Sequence, residues 1–423
     1  MTIRFTLTKF FVLIAALASW LAFVFFTAFW GWWMSPVVSP DDSAAFFDWA
    51  SLTLEQENAA GNSALVLIEG GEIVSEYYRG AETTIDADTV FSTASMSKWI
   101  AAHGIMQAEL EGKLDLDAPV SNYLSRWQLP TNEFDPSEVT IRRLLSHTAG
   151  LADGLGFGDY ELDETLPTLE EELSNPRASS GEPVRIEVSE APGSTWRYSG
   201  GSYLLLELVI EEVTGLRFED YMQQSFFSPM DMQRTTYASL NMFDNNAGSF
   251  SPDGSEADIY QYASSAATAF ATSATDLSKF VLAQIPQSRA KGVLPQEAIT
   301  SMREPLGSSL GADIWGLGTM LYAPTPRGDM VFGHDGGNSP AINSTARINP
   351  DTGDALIVLE TGHPALATRI GSQWVLWQTG VPDFLDFDSV LASMVLPAVV
   401  GSLLLLFLLL GAWNLRSRKQ MNE

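Results

Sequence analysis

The sequence predicts an α/β domain of the α+β type, with a mostly antiparallel sheet flanked by helices, a helical lobe, and two transmembrane helices. Uncharged apolar segments stand near both ends of the 423-residue chain. Strand-like runs occur early and late in the stretch between them, and helix-like runs occur in the middle. We therefore expect the first and last strands to be neighbours in one sheet, with the helical lobe inserted between them.

Composition narrows the function classes to which this chain can belong. Its net charge of −29 repels nucleic acid, so no nucleic-acid partner is predicted. The chain has no cysteine, which excludes disulfides, thiolate metal sites and a cysteine nucleophile. Its four scattered histidines lack the spacing of metal ligands, so neither a metal nor another cofactor is predicted.

The first apolar segment covers residues 10–34, and its length of about 25 residues is enough to cross a hydrocarbon core as a helix. Arg4 and Lys9 precede it, and three tryptophans stand close to its end, where an interfacial aromatic belt would lie. The alternative is a cleaved signal peptide, whose apolar region is usually ~7–15 residues long. The length, and the lack of a small-residue cleavage pattern, favour an uncleaved anchor.

The second apolar segment covers residues 390–413 and contains Pro397, which membrane helices tolerate better than soluble ones. Arg416, Arg418 and Lys419 follow it directly. Basic residues stay on the cytoplasmic side of a membrane, so these three place the C-terminus inside the cell.

Both ends therefore indicate the same orientation. Residues 1–9 and 414–423 are predicted to be cytoplasmic, and residues 40–385 to form a domain outside the cytoplasm. The predicted location is the cytoplasmic (inner) membrane, with the domain facing the periplasm or the extracellular space.

Apolar periodicity and turn residues predict the order of elements within that domain. Gly70-Gly71 fits a hairpin turn, residues 153–192 fit a long surface loop, and Ser92 or Thr93 is expected to cap the helix at Ser95. Helices are predicted at 42–58, 95–111, 168–173, 203–214 and 365–379, and strands at 64–69, 72–78, 331–333, 344–349 and 355–360.

The first candidate for chemistry is Ser95-Met96-Ser97-Lys98. Residues at positions i and i+3 share one face of a helix, so the amine of Lys98 can reach the hydroxyl of Ser95. A serine hydroxyl is a weak nucleophile until such a base activates it. The motif alone is weak, because a capped helix with a surface lysine has the same sequence pattern.

Two further motifs follow along the chain. Tyr198-Ser199-Gly200 supplies a phenol, and a phenol beside an ammonium group can relay a proton. His334-Asp335-Gly336 follows a short apolar run and precedes Gly337, so it fits a strand edge that lines a cleft, where glycine permits close backbone approach to a ligand. Each is weak by itself, since a buried tyrosine and a loop histidine are both common.

In this order, the three motifs resemble those of the class C β-lactamase and penicillin-binding-protein family. Their flanking segments, residues 140–151 (TIRRLLSHTAGL) and 192–199 (PGSTWRYS), resemble the family more closely than the motifs do. Residues 213–222 and 271–280 also look familial. The resemblance covers roughly residues 60–380, and chance agreement at so many ordered places is implausible.

The resemblance implies a role for each motif. Ser95 would attack a carbonyl and form an acyl-enzyme, while Lys98 and Tyr198 would share the acid–base work. His334 would position or polarise a substrate carboxylate. His147 is expected to fix a turn rather than to perform chemistry.

An oxyanion and substrate-binding element is implied as well. The backbone N–H groups of Ser95 and Gly337 would hold the oxyanion, and Gly336 would stand beside them at the substrate. The substrate would be a small molecule or a peptide.

Two residues depart from the family pattern. Gly200 stands where asparagine is usual, and His334 stands where β-lactamases usually carry lysine. Both departures weaken the case for efficient β-lactam hydrolysis. They fit a broader set of D-amino-acid peptidases, amide hydrolases and esterases, with a catalytically weak module that binds penicillin or cell-wall fragments as the alternative.

Overall fold

A computed structural model describes residues 7–58, 60–81, 83–151, 153–154, 156–158 and 160–422, with side chains described up to Leu415. Arg4 lies outside the described residues. Arg416, Arg418 and Lys419 lie within the last helix but outside the described side chains.

The described residues form twelve α-helices and eleven strands. The helices are α1 (Leu7–Ala28), α2 (Ser43–Glu57), α3 (Ser97–Leu110), α4 (Ile141–Leu145), α5 (Leu169–Ser174), α6 (Gly200–Thr214), α7 (Phe218–Met222), α8 (Ser265–Thr268), α9 (Ala274–Ala283), α10 (Gln296–Met302), α11 (Leu366–Thr379) and α12 (Phe387–Asn422). The strands are β1 (Asn62–Glu69), β2 (Glu72–Arg79), β3 (Val90–Ser92), β4 (Thr235–Thr236), β5 (Ala271–Ser273), β6 (Gly307–Ser309), β7 (Ala312–Trp315), β8 (Met320–Pro324), β9 (Met330–Asn338), β10 (Ile342–Asn349) and β11 (Asp354–Thr361).

The main sheet is antiparallel and has the strand order β2-β1-β11-β10-β9-β8-β7-β6. The early strand β1 pairs with the late strand β11, with Leu65 opposite Val358, which confirms the predicted neighbours. The helical lobe is formed by the chain between them. A smaller sheet, β3-β5-β4, lies within that part of the chain.

Helices cover both faces of the main sheet. Along β1, Leu65 and Leu67 pack with Phe46 and Trp374 of α2 and α11 on one face. Val66 packs into the larger core of the helical lobe on the other face. Because successive side chains of a strand point to opposite faces, burial on both sides explains why β1 is apolar without interruption.

Two local expectations differ from the structure. A 3₁₀ turn at Ala94–Met96 precedes α3, which begins at Ser97 rather than Ser95. No side chain caps either start, so the predicted cap by Ser92 or Thr93 is wrong. The Thr93 hydroxyl instead donates to the Phe270 carbonyl oxygen, at 2.9 Å, because the turn is tied to the chain before β5.

The two terminal helices are long and apolar enough to cross a membrane by length and composition. The first ends at Ala28, short of the predicted end at residue 34, because the chain turns through Gly31 with φ of 75°. The helices pack on each other, and the Trp20 indole of α1 donates to the Pro397 carbonyl oxygen of α12, at 3.2 Å.

Candidate active site

Ser95 lies in the middle of the 3₁₀ turn that leads into α3, and its side chain is partly buried. The preceding residue, Ala94, has a φ of 49°, in the left-handed region that non-glycine residues rarely occupy. Ser97 Oγ donates to the Ala94 carbonyl oxygen at 2.5 Å, and Ser344 Oγ donates to the Thr93 carbonyl oxygen at 2.9 Å. These bonds hold the strained turn that presents the Ser95 hydroxyl.

Lys98 occupies the first turn of α3 and is almost completely buried. Its Nζ lies 3.5 Å from Ser95 Oγ and donates to the Ala267 carbonyl oxygen at 2.8 Å. The carbonyl fixes the amine beside the hydroxyl, at the long limit of a hydrogen bond. This is the arrangement that the Ser-x-x-Lys spacing predicted.

Tyr198 stands on the other side of the lysine amine. Its ring centroid lies 5.0 Å from Lys98 Nζ. The ring contacts His147 at 4.6 Å and Trp315 at 5.6 Å between ring centroids, and it remains partly exposed. The structure therefore brings the phenol to the same cleft as the serine and the lysine.

The next motif, at residues 334–337, forms part of β9, which is longer than the predicted strand 331–333. The His334 side chain is fully buried, and its ring lies 5.5 Å from that of Trp315. Its Nδ1 lies 2.5 Å from the Asp335 carbonyl oxygen. A carbonyl oxygen only accepts, so Nδ1 carries the proton and Nε2 presents a lone pair, with no partner among the described residues.

His334 is neutral at physiological pH. Its pKa is lowered to about 3, mainly by burial; the hydrogen bond to the Asp335 carbonyl opposes this shift, and charge repulsion from Lys98 adds to it. The buried Nε2 at this position therefore carries a lone pair and no charge.

The two glycines after Asp335 have different surroundings. A Cβ at Gly336 would lie 1.9 Å from the Thr93 carbonyl oxygen, so only glycine lets β9 pass against the turn that carries Ser95. Gly337 is exposed and pairs with Asn343 of β10. Gly337 therefore directly follows the residue of β9 that contacts the Ser95 turn, and its own backbone is accessible.

His147 fixes the chain that precedes Tyr198, which fits the structural role expected for it. Its φ is 57°, its carbonyl oxygen accepts from Arg197 N at 2.8 Å, and its Nδ1 accepts from Ser199 N at 3.1 Å. Burial lowers its pKa well below the ordinary value, and charge repulsion from Lys98 lowers it further. A neutral, hydrogen-bonded imidazole is suited to this positional role.

Gly200, the second departure from the family pattern, is the buried first residue of α6. Ser199 caps this helix, with its Oγ accepting from Ser202 N at 2.9 Å and donating to Asp153 Oδ2 at 2.5 Å. No local sequence pattern indicated this role for Asp153, which lies in the long loop after the 140–151 segment.

Trp315 of β7 is the main contributor that sequence reasoning missed. Its ring contacts three rings of the site, those of His147, Tyr198 and His334. Ala267 was missed for a different reason, because it acts through its carbonyl oxygen. Among the described residues, no group of three or more His, Asp or Glu side chains could hold a metal ion.

Comparisons with known proteins identify the family of this chain. A family model described as Beta-lactamase matches residues 49–375. A penicillin-binding protein of Bacillus subtilis is 32% identical over 179 residues, which cover 41% of this chain and 37% of that protein. Esterase EstB of Burkholderia gladioli is 31% identical over 196 residues, which cover 40% of this chain and 44% of that protein. The matched segments thus span less than half the length of either relative.

The solved structures show the same fold. The octameric penicillin-binding protein homologue from Pyrococcus abyssi has a TM-score of 0.62 at 22% identity, covering 80% of this chain and 78% of that one. The family match contains the serine, lysine, tyrosine and histidine of the cleft. The chain therefore belongs to the β-lactamase family of serine hydrolases, with an antiparallel sheet of the β-lactamase/transpeptidase type, and is related to class C β-lactamases and penicillin-binding proteins.

Proposed function

We propose that this chain is a membrane-anchored hydrolase that forms an acyl-enzyme on Ser95 and acts outside the cytoplasm on a small amide or ester. The observation that carries the proposal is the position of the buried Lys98 amine, 3.5 Å from the Ser95 hydroxyl. A nucleophile and a base within such reach are the minimum for acyl transfer, and this distance can shorten when substrate binds.

In the proposed reaction, Ser95 Oγ attacks the substrate carbonyl carbon, and its proton passes to Lys98 or Tyr198. The backbone N–H groups of Ser95 and Gly337 stabilise the oxyanion, beside Gly336, and each such donor contributes roughly 2.7–4 kcal/mol in comparable sites. The C–N or C–O bond then breaks, and the amine or alcohol leaves with the transferred proton. Water hydrolyses the acyl-enzyme by the reverse use of the same groups.

The chemistry around His334 favours an ester or a D-amino-acid amide over a carboxylate-bearing β-lactam. The neutral imidazole of His334 carries no positive charge that could attract a substrate carboxylate. Gly200 offers no side-chain amide there. Similar proteins include an esterase of Burkholderia gladioli and a D-amino acid amidase of Ochrobactrum anthropi, which supports both substrate classes.

Turnover by the full-length chain in detergent tests the proposal. We expect hydrolysis of p-nitrophenyl esters or D-amino-acid anilides, and its loss in the Ser95→Ala variant. The alternative is a catalytically weak binding module, which the absence of a side chain at Gly200 favours. Binding of fluorescent penicillin with no turnover of any ester or amide would support that alternative and contradict a hydrolase.

The membrane part of the proposal concerns residues 10–34 and 390–413 as two spans, with residues 40–385 outside the cytoplasm. Its support is the length and apolar composition of α1 and α12, which pack side by side. Residues 1–9 and 414–423 would then be cytoplasmic. A reporter fused to the C-terminus is expected to behave as cytoplasmic, and an exported reporter would contradict this topology.

A further inference from the structure

An apolar groove lies where the outer end of α1 meets the edge of the main sheet. It has a volume of about 530 Å³, and its α1 side is formed by Phe25, Phe26 and the following Trp30. The opposite wall includes Leu310 and Ala312 of the β6–β7 hairpin. Of the described residues that line it, Asp313 alone carries a charge.

The tip of the β6–β7 hairpin has an unusual residue. Leu310 and Gly311 both have positive φ, 52° and 85°, as a two-residue hairpin turn requires. Asn, Asp and Gly are the residues that favour such a position. Leu310 is a leucine there with 79% of its surface exposed, so the tip offers a large apolar side chain to its surroundings at a conformational cost.

The apolar surface of this tip continues onto the helix. Phe26 and Trp30 are both exposed and line the same groove as Leu310. Large apolar side chains that are exposed together on one surface mark a contact with a membrane or another apolar partner. The groove lies at the C-terminal end of α1, and the rest of this helix is apolar and long enough to span a membrane. If α1 spans the membrane, the bilayer is the surface nearest to the groove.

The groove is close to the active-site cleft. Strand β7 runs from Ala312 at the groove to Trp315 at the cleft, and β9 runs from Met330 at the groove to His334 at the cleft. At ~3.3 Å per residue, the two sites are about 10–13 Å apart along these strands. A ligand in the groove would therefore lie near the reacting groups.

We propose that this groove binds an acyl chain of a membrane phospholipid and that the β6–β7 hairpin tip is a third contact with the bilayer. The inference rests on the membrane-anchored form of the proposed function. Besides the two proposed spanning helices, a surface of the domain then contacts the membrane. This contact holds the cleft close to the bilayer, so that substrates at the lipid–water interface can reach the cleft.

Because the chain has no cysteine, a spin label can be attached at a single introduced cysteine. Cysteines are introduced singly at Leu310, at Phe26, and at the exposed Met242, which does not line the groove. In phospholipid nanodiscs, labels at 310 and 26 are expected to collide more with oxygen than with a water-soluble nickel chelate. The label at 242 is expected to show the reverse.

The outcomes separate the two proposals. An apolar environment at 26 with an aqueous one at 310 would contradict the hairpin contact and leave the anchor in place. An aqueous environment at 26 would overturn the anchor and the groove together.

A phosphatidylcholine with a diazirine near the end of its acyl chain tests the occupant. We expect photoadducts on the β6–β7 hairpin, and a several-fold loss of these adducts in the Ala312→Trp variant, which fills the groove. Ser308→Trp, on the same hairpin but outside the groove, is the control and should keep them. Equal adducts in both variants, or a bound protein that shields the hairpin from lipid, would contradict the proposal.

Discussion

Adjacent residues of β9 face two different environments, and the contrast separates function from stability. His334 points toward the cleft, where its Nε2 has no partner among the described residues. Asp335 points to the other face of the sheet, where three residues bind its carboxylate. Tyr322 OH donates at 3.1 Å, Thr345 Oγ1 at 2.5 Å, and the Arg347 guanidinium at 2.8 Å.

The network behind the sheet reaches further along the chain. Arg347 is almost fully buried and also donates to Asp383, at 2.5 Å, just before α12 begins. Ser372 Oγ donates to the same Asp383 oxygen at 2.9 Å. The satisfied face anchors β9, while on the cleft face the partly exposed Ser95 and Tyr198 are the groups that a substrate can reach. A substitution in the network should therefore lower stability at any pH, whereas a substitution of Lys98 in the cleft should slow acyl transfer.

The largest expected effect is on the cleft face. Lys98→Met removes the base and should slow acylation of Ser95 by about 10²–10⁴-fold, the range typical of general-base catalysis. The unfolding temperature should change little, because the Lys98 side chain is not part of an ion pair among the described residues. Stopped-flow labelling measures the rate, and Lys113→Met, at an exposed lysine, is the control. Wild-type acylation in Lys98→Met would contradict the assignment.

The next effect is on the network face. Arg347→Met leaves Asp335 and Asp383 buried without their cation and should cost about 3–5 kcal/mol of unfolding free energy. Arg303→Met is the matched control, because Arg303 is similarly buried but its partner Asp329 is one-third exposed. Denaturant unfolding of both variants checks the order. A larger loss for Arg303→Met would show that the Asp335 face does not anchor the strand.

His334 predicts a pH dependence of stability. Its pKa is about 3 in the folded chain and 6.5 when exposed. As pH falls from 6.5 towards 3, the unfolded chain binds a proton that the folded chain does not, so stability is lost at up to about 1.4 kcal/mol per pH unit. His334→Gln should show a shallower loss over this window. His363→Gln, at a less buried histidine, is the control, and identical slopes for wild type and His334→Gln would refute the assignment.

The smallest effect distinguishes charged from neutral hydrogen bonds. Tyr322→Phe removes a donor to the Asp335 carboxylate and should cost about 1.5–3 kcal/mol, whereas Tyr221→Phe removes a donor to the neutral Gly104 carbonyl and should cost about 0.5–1.5 kcal/mol. Thermal unfolding of the two variants gives the difference. An equal or reversed order would mean that Tyr322 does not support the network.

The sequence predicted the parts of the fold that depend on local pattern. The β1–β2 hairpin around Gly70-Gly71 and the pairing of early with late strands are confirmed, because apolar runs and turn residues report them directly. Strands β6–β8 were missed, because they are short and glycines stand between them. Residues 334–336 were predicted to lie at a strand edge rather than within a strand, because residues 334–338 include few that favour strands. In the structure, pairing with β10 makes them part of β9.

The site divides in the same way. The approach of Lys98 to Ser95 follows from spacing within one helical turn, so the sequence predicted it. Trp315 and the Asp335–Arg347 pair could not be predicted, because they meet only through the register of neighbouring strands and carry no local signal. The tautomer of His334 likewise depends on a hydrogen bond that only the backbone geometry of β9 creates.

The most direct test of the central claim is a mass measurement of the labelled chain. A fluorophosphonate should add one adduct to the wild-type protein, on Ser95, and one to Ser92→Ala, which removes a nearby hydroxyl outside the proposed machinery. Ser95→Ala should remain unlabelled while its unfolding temperature stays unchanged. Equal labelling of the wild type and a folded Ser95→Ala variant would contradict Ser95 as the nucleophile.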